Sequence, residues 1–237
     1  MCIGQNKIKA RHLHPVMIQK QISAVIFDLN GTMIDDMAFH VTAWSDILNN
    51  DLHAGLSEAE VKKQMYGKNG EVLDRIFGKG HFTQQESDRL SLEKERRYQQ
   101  AYKPHLRLIK GLQVYLRYLQ SIEIPVAIGS AAIPFNINFV LDNLNIRKYF
   151  SAIVSADDVQ HSKPDPETFL KAASLMNTAP EQCVVFEDAP KGVEAAERAG
   201  MQAVVLTTMH SREEFAAYKN VVTFIKDYTD PLLKDLL

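Results

Sequence analysis

Cysteine is scarce in this chain: among its 237 residues only Cys2 and Cys183 are cysteines. Two cysteines so far apart form neither a disulfide framework nor the paired spacing of a zinc site. Such sparse usage is typical of a reducing compartment, so a cytoplasmic location is expected.

Long apolar runs and an excess of charge are also missing. No run approaches the roughly 18 apolar residues that a membrane span needs, and the formal net charge is only −2. A chain so close to neutral offers no broad electrostatic attraction to nucleic acid or to an anionic membrane. The expected partner is therefore a small molecule, and the protein is expected to be a monomer.

Acidic residues are absent from residues 1–20, which carry four basic side chains. No apolar region follows them, so they do not form a secretory signal. We expect residues 1–20 to be a disordered extension. Met17 is an alternative first residue, because the first strand pattern begins a few positions later.

Short, β-rich apolar runs are what the chain does contain, and helical patterns lie between several of them. The runs span 22–27, 124–129, 152–155, 183–187, 202–207 and 221–225, and the helical patterns span 134–146, 166–176 and 191–200. Apolar runs without strict alternation indicate strands that are buried on both faces. Their alternation with helices predicts an α/β fold with a doubly wound parallel sheet.

Residues 37–104 differ, because they have helical periodicity and no convincing strand. Within them Ser57 begins a capping-box pattern, and residues 83–102 have the pattern of a long charged helix. We predict an all-helical cap over residues 37–104, inserted into a core formed by residues 21–36 and 105–237.

Polar side chains stand where several of the predicted strands end. Asp28 ends the first strand, Ser130 follows the second, and the pair Glu187 and Asp188 ends a later one, while Lys163 lies in a further loop. Alone, Asp28 would be interpreted as a turn residue. Ligands of open α/β sheets bind beyond the carboxyl ends of the strands, so the cluster as a whole indicates a functional site.

The carboxylates of this cluster predict a cation and an anionic substrate. Asp28, Glu187 and Asp188 would repel one another unless a cation lay among them, and hard oxygen ligands suit Mg²⁺. A bound Mg²⁺ in turn implies an anionic substrate such as a phosphate ester. With Asp28 as the nucleophile, the reaction passes through an aspartyl-phosphate that water then hydrolyses.

The remaining residues of the cluster are predicted to bind the phosphate. Lys163 supplies a positive charge for the phosphoryl oxygens and for the attacking carboxylate. The Ser130 hydroxyl and the backbone at Ala131 can hold the other oxygens. Gly31 and Thr32 let the first loop approach the phosphate closely.

Four motifs together carry a resemblance to a known family. They are 26-IFDLNGT-32, 128-IGS-130, 162-SKPDPETF-169 and 185-VFEDAPKGVEAAERAG-200. In this order and spacing they resemble the haloacid dehalogenase superfamily, in the branch of β-phosphoglucomutase and related sugar-phosphate phosphatases. The resemblance covers nearly the whole chain from about residue 20.

This resemblance implies a role for each motif residue. Mg²⁺ would be held by Asp28, Asp188 and the backbone carbonyl of Asn30, with Glu187 orienting a metal-bound water. Lys163 would pair with Asp28 and with the phosphate. The resemblance also implies a Rossmann-like core with a helical cap inserted after the first motif.

The predicted cap contains further candidates for substrate binding. His40 matches a histidine of the branch in the first cap helix, and its imidazole is suited to proton transfer near neutral pH. The stretch 65-MYGKNGEVL-73 resembles one that carries a phosphate-binding Arg in β-phosphoglucomutase. Here Gly70 falls at or near that place, with Lys68 and Asn69 beside it. The missing Arg disfavours mutase activity.

Asn30 is the second departure from the family pattern. Family phosphatases have an Asp there that protonates the leaving oxygen and later activates water, and an amide cannot exchange a proton in this way. Three explanations stay open. Asn30 is an engineered change, or the enzyme is natural and His40 or another cap residue supplies the proton, or the protein has become a binding protein.

The favoured function is a Mg²⁺-dependent phosphatase that acts on a small phosphorylated metabolite. Without an acid at Asn30, leaving groups that need no proton are favoured, as in acyl phosphates, pyrophosphate and aryl phosphates. The alternatives are a β-phosphoglucomutase-like isomerase and a low-activity phosphate-ligand-binding protein. A 2-haloacid dehalogenase is disfavoured, because the Glu187–Asp188 pair indicates a cation that halide chemistry on an aspartate does not need.

Overall fold

A single parallel sheet organises residues 22–236, the part of the chain that the computed structural model describes. The expectations for residues 1–20 and for Met17 lie outside the described residues. The strands are β1 (Ala24–Phe27), β2 (Val126–Gly129), β3 (Ala152–Val154), β4 (Cys183–Glu187), β5 (Gln202–Leu206) and β6 (Val221–Ile225). Their order is β3-β2-β1-β4-β5-β6, and every neighbouring pair is parallel. The predicted doubly wound α/β fold is confirmed.

The strands form where apolar side chains are buried on both faces of the sheet. In β1, Val25 and Phe27 belong to one core cluster, whereas Ala24 and Ile26 belong to the cluster on the opposite face. Successive side chains of a strand point to opposite faces. Because both faces are covered, the strand needs a continuous apolar run rather than an alternating one.

Eight α-helices accompany the sheet within the described residues. They are α1 (Met37–Ser45), α2 (Glu58–Gln64), α3 (Asn69–Phe77), α4 (Gln84–Tyr102), α5 (Leu112–Ser121), α6 (Pro134–Asn143), α7 (Glu167–Leu175) and α8 (Pro190–Arg198). The helices α6, α7 and α8 occur where the periodicity predicts them, and their ends differ from the predicted ones by at most three residues. In the described part of the chain, none of the helices combines the length and the apolar character of a membrane span.

Only helices lie between β1 and α5 in the described chain, and they share an apolar cluster of their own. Its buried members are Trp44, Ile47, Leu48, Val61, Val72, Leu73 and Leu90. A capping box starts α2, because the Ser57 side chain accepts from the Glu60 N–H while the Glu60 carboxylate accepts from the Ser57 N–H. A π-helical turn, Asp46–Asp51, continues α1. The boundaries of the cap and the core stay predictions.

The chain enters and leaves this helical region through two adjacent segments, here called the neck (residues 30–34 and 108–109). Ile34 forms an antiparallel bridge with Leu108, and the Ile109 N–H donates to the Met33 carbonyl at 2.9 Å. Asn30 forms a further bridge with Ile34. The neck therefore connects the helical region directly to the loop that follows β1.

Candidate active site

The polar side chains meet where the strand order reverses beside β1. In the sheet β1 lies between β2 and β4, so the loops after these strands open a crevice at their carboxyl ends. A cavity of about 480 Å³ occupies this place. Its lining includes Asp28, Asn30, His40, Ser130, Lys163 and Asp188.

Lys163 joins two of the carboxylates. Its Nζ donates to Asp28 Oδ1 at 2.7 Å, to Glu187 Oε1 at 2.9 Å and to the Gly129 carbonyl at 3.1 Å. The second carboxylate oxygen of Asp28 accepts no hydrogen bond from residues 22–236. Asp28 therefore has one oxygen fixed by Lys163 and one available for chemistry.

Burial perturbs the ionisation of these groups. Burial, with repulsion from Glu187, raises the pKa of Asp28 to about 7 even though Lys163 opposes the change. Burial and the nearby Glu187 and Asp28 raise the pKa of Asp188 well above its ordinary value. Burial alone would lower the pKa of Lys163, but attraction to Asp28 and Glu187 outweighs it and the pKa is raised. One ammonium thus faces three buried carboxylates, and a further cation would favour their ionised forms.

Gly31 and Thr32 position Asp188. The Thr32 hydroxyl donates to Asp188 Oδ1 at 3.1 Å. Gly31 has a φ of +73°, and an added Cβ there would lie 2.1 Å from Asp188 Oδ2. Neither residue is part of the cavity lining. The loop thus approaches a carboxylate, and the predicted contact of Gly31 and Thr32 with the phosphate stays a prediction.

Glu187 has both carboxylate oxygens engaged. One accepts from Lys163 at 2.9 Å, and the other accepts from the N–H groups of Asp188 and Ala189, each at 2.8 Å. An added Cβ on Gly192 would lie 1.7 Å from Glu187 Oε1, so α8 packs directly on this carboxylate. Glu187 fixes Lys163 and the loop after β4, which leaves it little capacity to orient a metal-bound water.

The three acidic residues predicted to surround the cation, Asp28, Glu187 and Asp188, can be compared with other possible metal-binding groups of the described chain. In the described chain, one group of three side chains has ligand atoms that all lie within 4.8 Å of one another, and it consists of His161, Asp165 and Glu167. The trio predicted to surround the cation is not that compact. In the group of His161, Asp165 and Glu167, the Glu167 carboxylate already accepts from the N–H groups of Gln160 and His161. These hydrogen bonds explain why the three side chains lie close together without a metal ion.

Ser130 and Ala131 lie at the cavity where the second motif predicts them. The Ser130 N–H donates to the Val154 carbonyl at 3.0 Å, and its hydroxyl oxygen accepts from the Ala132 N–H at 3.1 Å. These contacts fix the turn after β2 and leave the hydroxyl proton of Ser130 available to donate. The hydroxyl can therefore donate to a phosphoryl oxygen.

The Asn30 side chain is held by the predicted site residue His40 and by Asp36, which was not among the predicted site residues. Its Nδ2 lies 2.6 Å from Asp36 Oδ2 and 3.0 Å from His40 Nε2. The His40 ring stacks on Tyr98 with centroids 3.7 Å apart, and its Nδ1 lies 2.7 Å from Lys94 Nζ. Asp36 lies four residues beyond the first motif, where an acidic residue before a helix is ordinarily a solvated cap. Lys94 and Tyr98 lie in a charged helix pattern that gave no signal of a place in the site.

The candidates in the cap take different positions. Lys68 Nζ donates to the Val159 carbonyl at 2.6 Å, and Lys68 is not part of the cavity lining. Asn69 does line the cavity, and its amide donates to Glu95 Oε1 at 2.7 Å. Asn136 donates to the other oxygen of Glu95 at 2.6 Å. Asn69 thus remains beside the substrate space, whereas Lys68 links the helical region to the loop before Lys163.

Comparisons with known proteins agree with this geometry. Residues 25–206 match the family model described as haloacid dehalogenase-like hydrolase. Fructose-1-phosphate phosphatase YqaB of Escherichia coli is 33% identical over 200 residues, which are 78% of this chain and 96% of the relative. Beta-phosphoglucomutase of Bacillus subtilis is 30% identical over 197 residues, 77% of this chain and 82% of the relative. The solved beta-phosphoglucomutase of Clostridium difficile has a TM-score of 0.76 at 27% identity, covering 88% of this chain and 92% of that one.

The chain therefore belongs to the haloacid dehalogenase-like hydrolases. Within this family it is an enzyme of the phosphoric monoester hydrolase class. The family and enzyme class expected from the four motifs are thereby confirmed.

Proposed function

We propose that this enzyme is a Mg²⁺-dependent phosphatase that hydrolyses a small phosphorylated sugar or similar metabolite through an aspartyl-phosphate on Asp28. The observation that carries the proposal is the free carboxylate oxygen of Asp28 beside the cavity, with the other oxygen fixed by Lys163 at 2.7 Å. A nucleophile held in this way is already oriented for attack, which lowers the entropic part of the barrier.

The reaction proceeds in two displacements at phosphorus. The free oxygen of Asp28 attacks the ester phosphorus, the bond to the alcohol oxygen breaks, and the electron pair leaves with that oxygen. The Ser130 hydroxyl donates to another phosphoryl oxygen. The three N–H groups of Lys163 are directed at Asp28, Glu187 and the Gly129 carbonyl, so Lys163 contributes its positive charge, which offsets the charge that develops on the phosphoryl group. Water then attacks the phosphorus of the aspartyl-phosphate, which releases inorganic phosphate and restores the Asp28 carboxylate.

The donor set fits Mg²⁺. The residues that would hold it are Asp28, Asp188 and Asn30, and the Asn30 backbone carbonyl accepts no hydrogen bond from residues 22–236. Such hard oxygen ligands are the ones that Mg²⁺ prefers. When bound, the ion supplies positive charge that offsets the repulsion between the carboxylates and the phosphate. Glu187 is not assigned as a ligand, because its oxygens are already engaged.

The cavity supports a small polar substrate. Its volume of about 480 Å³ is in the range of small-molecule sites. On the side of the helical region its lining includes Asn69 and Glu95, and Asn136 of α6 lies beside them. These amide and carboxylate groups suit the hydroxyl groups of a sugar, in keeping with a relative named as a fructose-1-phosphate phosphatase.

The test is phosphate release from a panel of sugar phosphates and from p-nitrophenyl phosphate, with Mg²⁺ and with EDTA. We expect Asp28→Asn to reduce kcat by at least about 10³-fold because the nucleophile is lost. Asp157→Asn alters an exposed aspartate outside the cavity and serves as the matched control with unchanged kcat. Equal turnover by the wild type and Asp28→Asn would contradict the proposal.

A sugar-phosphate isomerase is the second candidate, since the chain is 30% identical to beta-phosphoglucomutase of Bacillus subtilis. Gly70 in place of an Arg and the engagement of Lys68 with Val159 weigh against it. Conversion of β-glucose 1-phosphate to the 6-phosphate, with a bisphosphate primer, would support the isomerase. Tight calorimetric binding of a phosphate ligand without any turnover would instead indicate a binding protein.

A further inference from the structure

Asp36 is a buried carboxylate that the reaction described above does not use. It is 0% exposed and immediately precedes α1. Its Oδ2 accepts from Asn30 Nδ2 at 2.6 Å and from the Tyr98 hydroxyl at 2.5 Å, and its Oδ1 accepts from the Gly31 N–H at 3.2 Å. Its partners therefore come from the catalytic loop and from α4. His40 Nε2 lies 3.2 Å from the same Oδ2.

These contacts determine which way the Asn30 amide points. Asp36 Oδ2 accepts from both the Tyr98 hydroxyl and the Asn30 amide, so the amide nitrogen of Asn30, and not its oxygen, faces Asp36. The same nitrogen lies 3.0 Å from His40 Nε2. The amide oxygen is thereby left for the cavity that Asn30 lines. The Asn30 side chain therefore offers its amide oxygen as a hydrogen-bond acceptor to the substrate space.

The same contacts are incompatible with a carboxylate at position 30. An aspartate there would have an oxygen about where Nδ2 now lies, 2.6 Å from Asp36 Oδ2. Two buried like charges at that distance are strongly unfavourable unless one of them is neutralised. Lys94 is the buried cation on this side, and its ammonium contacts His40 and Glu95. The surroundings of residue 30 thus match an amide.

We propose that Asp36 is a positioning residue, which holds the Asn30 amide oxygen toward the water that hydrolyses the aspartyl-phosphate, and that Asn30 and Asp36 function only as a pair. The inference rests on the proposed function. The amide oxygen accepts a hydrogen bond from the attacking water and orients it. Loss of Asp36 frees the amide to rotate, so it lowers kcat and leaves KM nearly unchanged.

The test is a cycle of four proteins: wild type, Asp36→Asn, Asn30→Asp and the double variant. With p-nitrophenyl phosphate we expect each single variant to lower kcat by about tenfold or more, with KM within about twofold. In the double variant an amide at 36 again faces a carboxylate at 30, so kcat should return to within about threefold of the wild type. Asp35→Asn, which alters the exposed neighbour, is the control with unchanged kcat.

Two additional measurements cover variants that fold poorly or turn over slowly. Tyr98→Phe removes the hydroxyl 2.5 Å from Asp36 Oδ2 and should lower kcat by about threefold without changing KM. In thermal melting, Asn30→Asp should lower Tm by about 5 °C, and the double variant should recover it.

The inference is overturned if the two substitutions have independent effects on kcat and Tm, or if Asn30→Asp alone is more active than the double variant. Absence of turnover in the wild type on every phosphate ester would contradict the proposed function. The melting cycle then still decides whether Asn30 and Asp36 form a pair.

Discussion

Asn30 can serve cation binding through its backbone carbonyl, but its side chain cannot serve as the general acid and base that an aspartate at this position would provide. Its backbone carbonyl can bind a cation, while its side chain is fixed by Asp36 and His40 and carries no exchangeable acid proton. A leaving alkoxide must therefore obtain its proton elsewhere. The imidazole of His40 lines the same cavity, with Nε2 3.0 Å from the Asn30 amide. His40 is the group to test for this role.

Replacing His40 by Gln should affect substrates according to their leaving groups. For alkyl phosphates, which need a proton on the departing oxygen, we expect kcat to fall by about 10²-fold. For p-nitrophenyl phosphate, whose phenolate leaves without a proton, the change should stay within about threefold. The measurement is kcat for both substrates across pH 5–9. An equal decrease in kcat with both substrates would show that His40 maintains the structure of the site and does not donate a proton to the leaving group.

Asp28 and Asp188 were predicted as site residues because they follow strands, and Lys163 because it lies in a motif loop. In the structure all three line one cavity. Asp36 could not be predicted in the same way. An acidic residue before a helix is ordinarily a solvated cap, and its burial here depends on Tyr98, 62 positions further along the chain.

At the scale of an element, α4 differs most from its sequence pattern. Residues 83–102 are rich in charge and predict a solvated helix, and the helix itself is present over Gln84–Tyr102. Lys94 and Glu95, however, are only 3% and 4% exposed. Their partners come from α1, α3 and α6, three elements far apart in the sequence. Periodicity within one helix carries no information about such partners.

Glu95 should make the stability of the helical region depend on pH. Burial alone would raise its pKa, but Lys94, His40 and two asparagine amides outweigh burial and lower it from 4.5 to about 2. Because the folded-state pKa is depressed, the carboxylate stabilises the fold above about pH 4.5 and loses this effect as the pH falls toward 2. The shift corresponds to about 3 kcal/mol.

Urea unfolding of wild type and Glu95→Gln at pH 6 and pH 3 measures this effect. The variant should be less stable at pH 6, and the difference in unfolding free energy should narrow by about 2 kcal/mol at pH 3. Glu58→Gln, a change at an exposed glutamate of α2, should follow the wild type at both pH values. A difference that stays constant between pH 6 and pH 3 would contradict the depressed pKa of Glu95.

At the scale of the whole molecule, the carboxyl end of the sheet concentrates negative charge in the interior. Mg²⁺ bound only by the folded state should therefore stabilise the protein, by about 2.7 kcal/mol at a concentration 100 times the Kd. For a chain of this length that corresponds to a rise in Tm of roughly 5–10 °C. Differential scanning fluorimetry with Mg²⁺ and with EDTA measures the rise.

Two variants locate the metal that causes this shift. Asp188→Asn should abolish the rise in Tm, whereas Asp165→Asn, in the group with His161 and Glu167, should retain it. If Asp165→Asn abolishes the rise and Asp188→Asn retains it, the ion binds at His161, Asp165 and Glu167. That result would contradict the proposed binding of Mg²⁺ at the active site.

The strands of the sheet could be predicted from apolar runs in the sequence, and β4 and β6 have the bounds that their runs predict. β1 and β2 begin two residues later than their runs and end at the same residue as their runs. An apolar residue beyond the last ladder hydrogen bond can still be buried by packing, as Ile22 is. Composition therefore locates a strand, but the pairing with its neighbour decides where it begins and ends.

The neck has an architectural consequence. Ile34 and Leu108 form a β-bridge. The 73 residues between them are therefore an inserted segment whose two ends are adjacent in space. A short turn could join these ends without displacing β1 or the strands beside it. Exchange of this segment would leave the nucleophile in place, but it would also remove Asp36 and His40, so a replacement segment has to supply new partners for the Asn30 side chain.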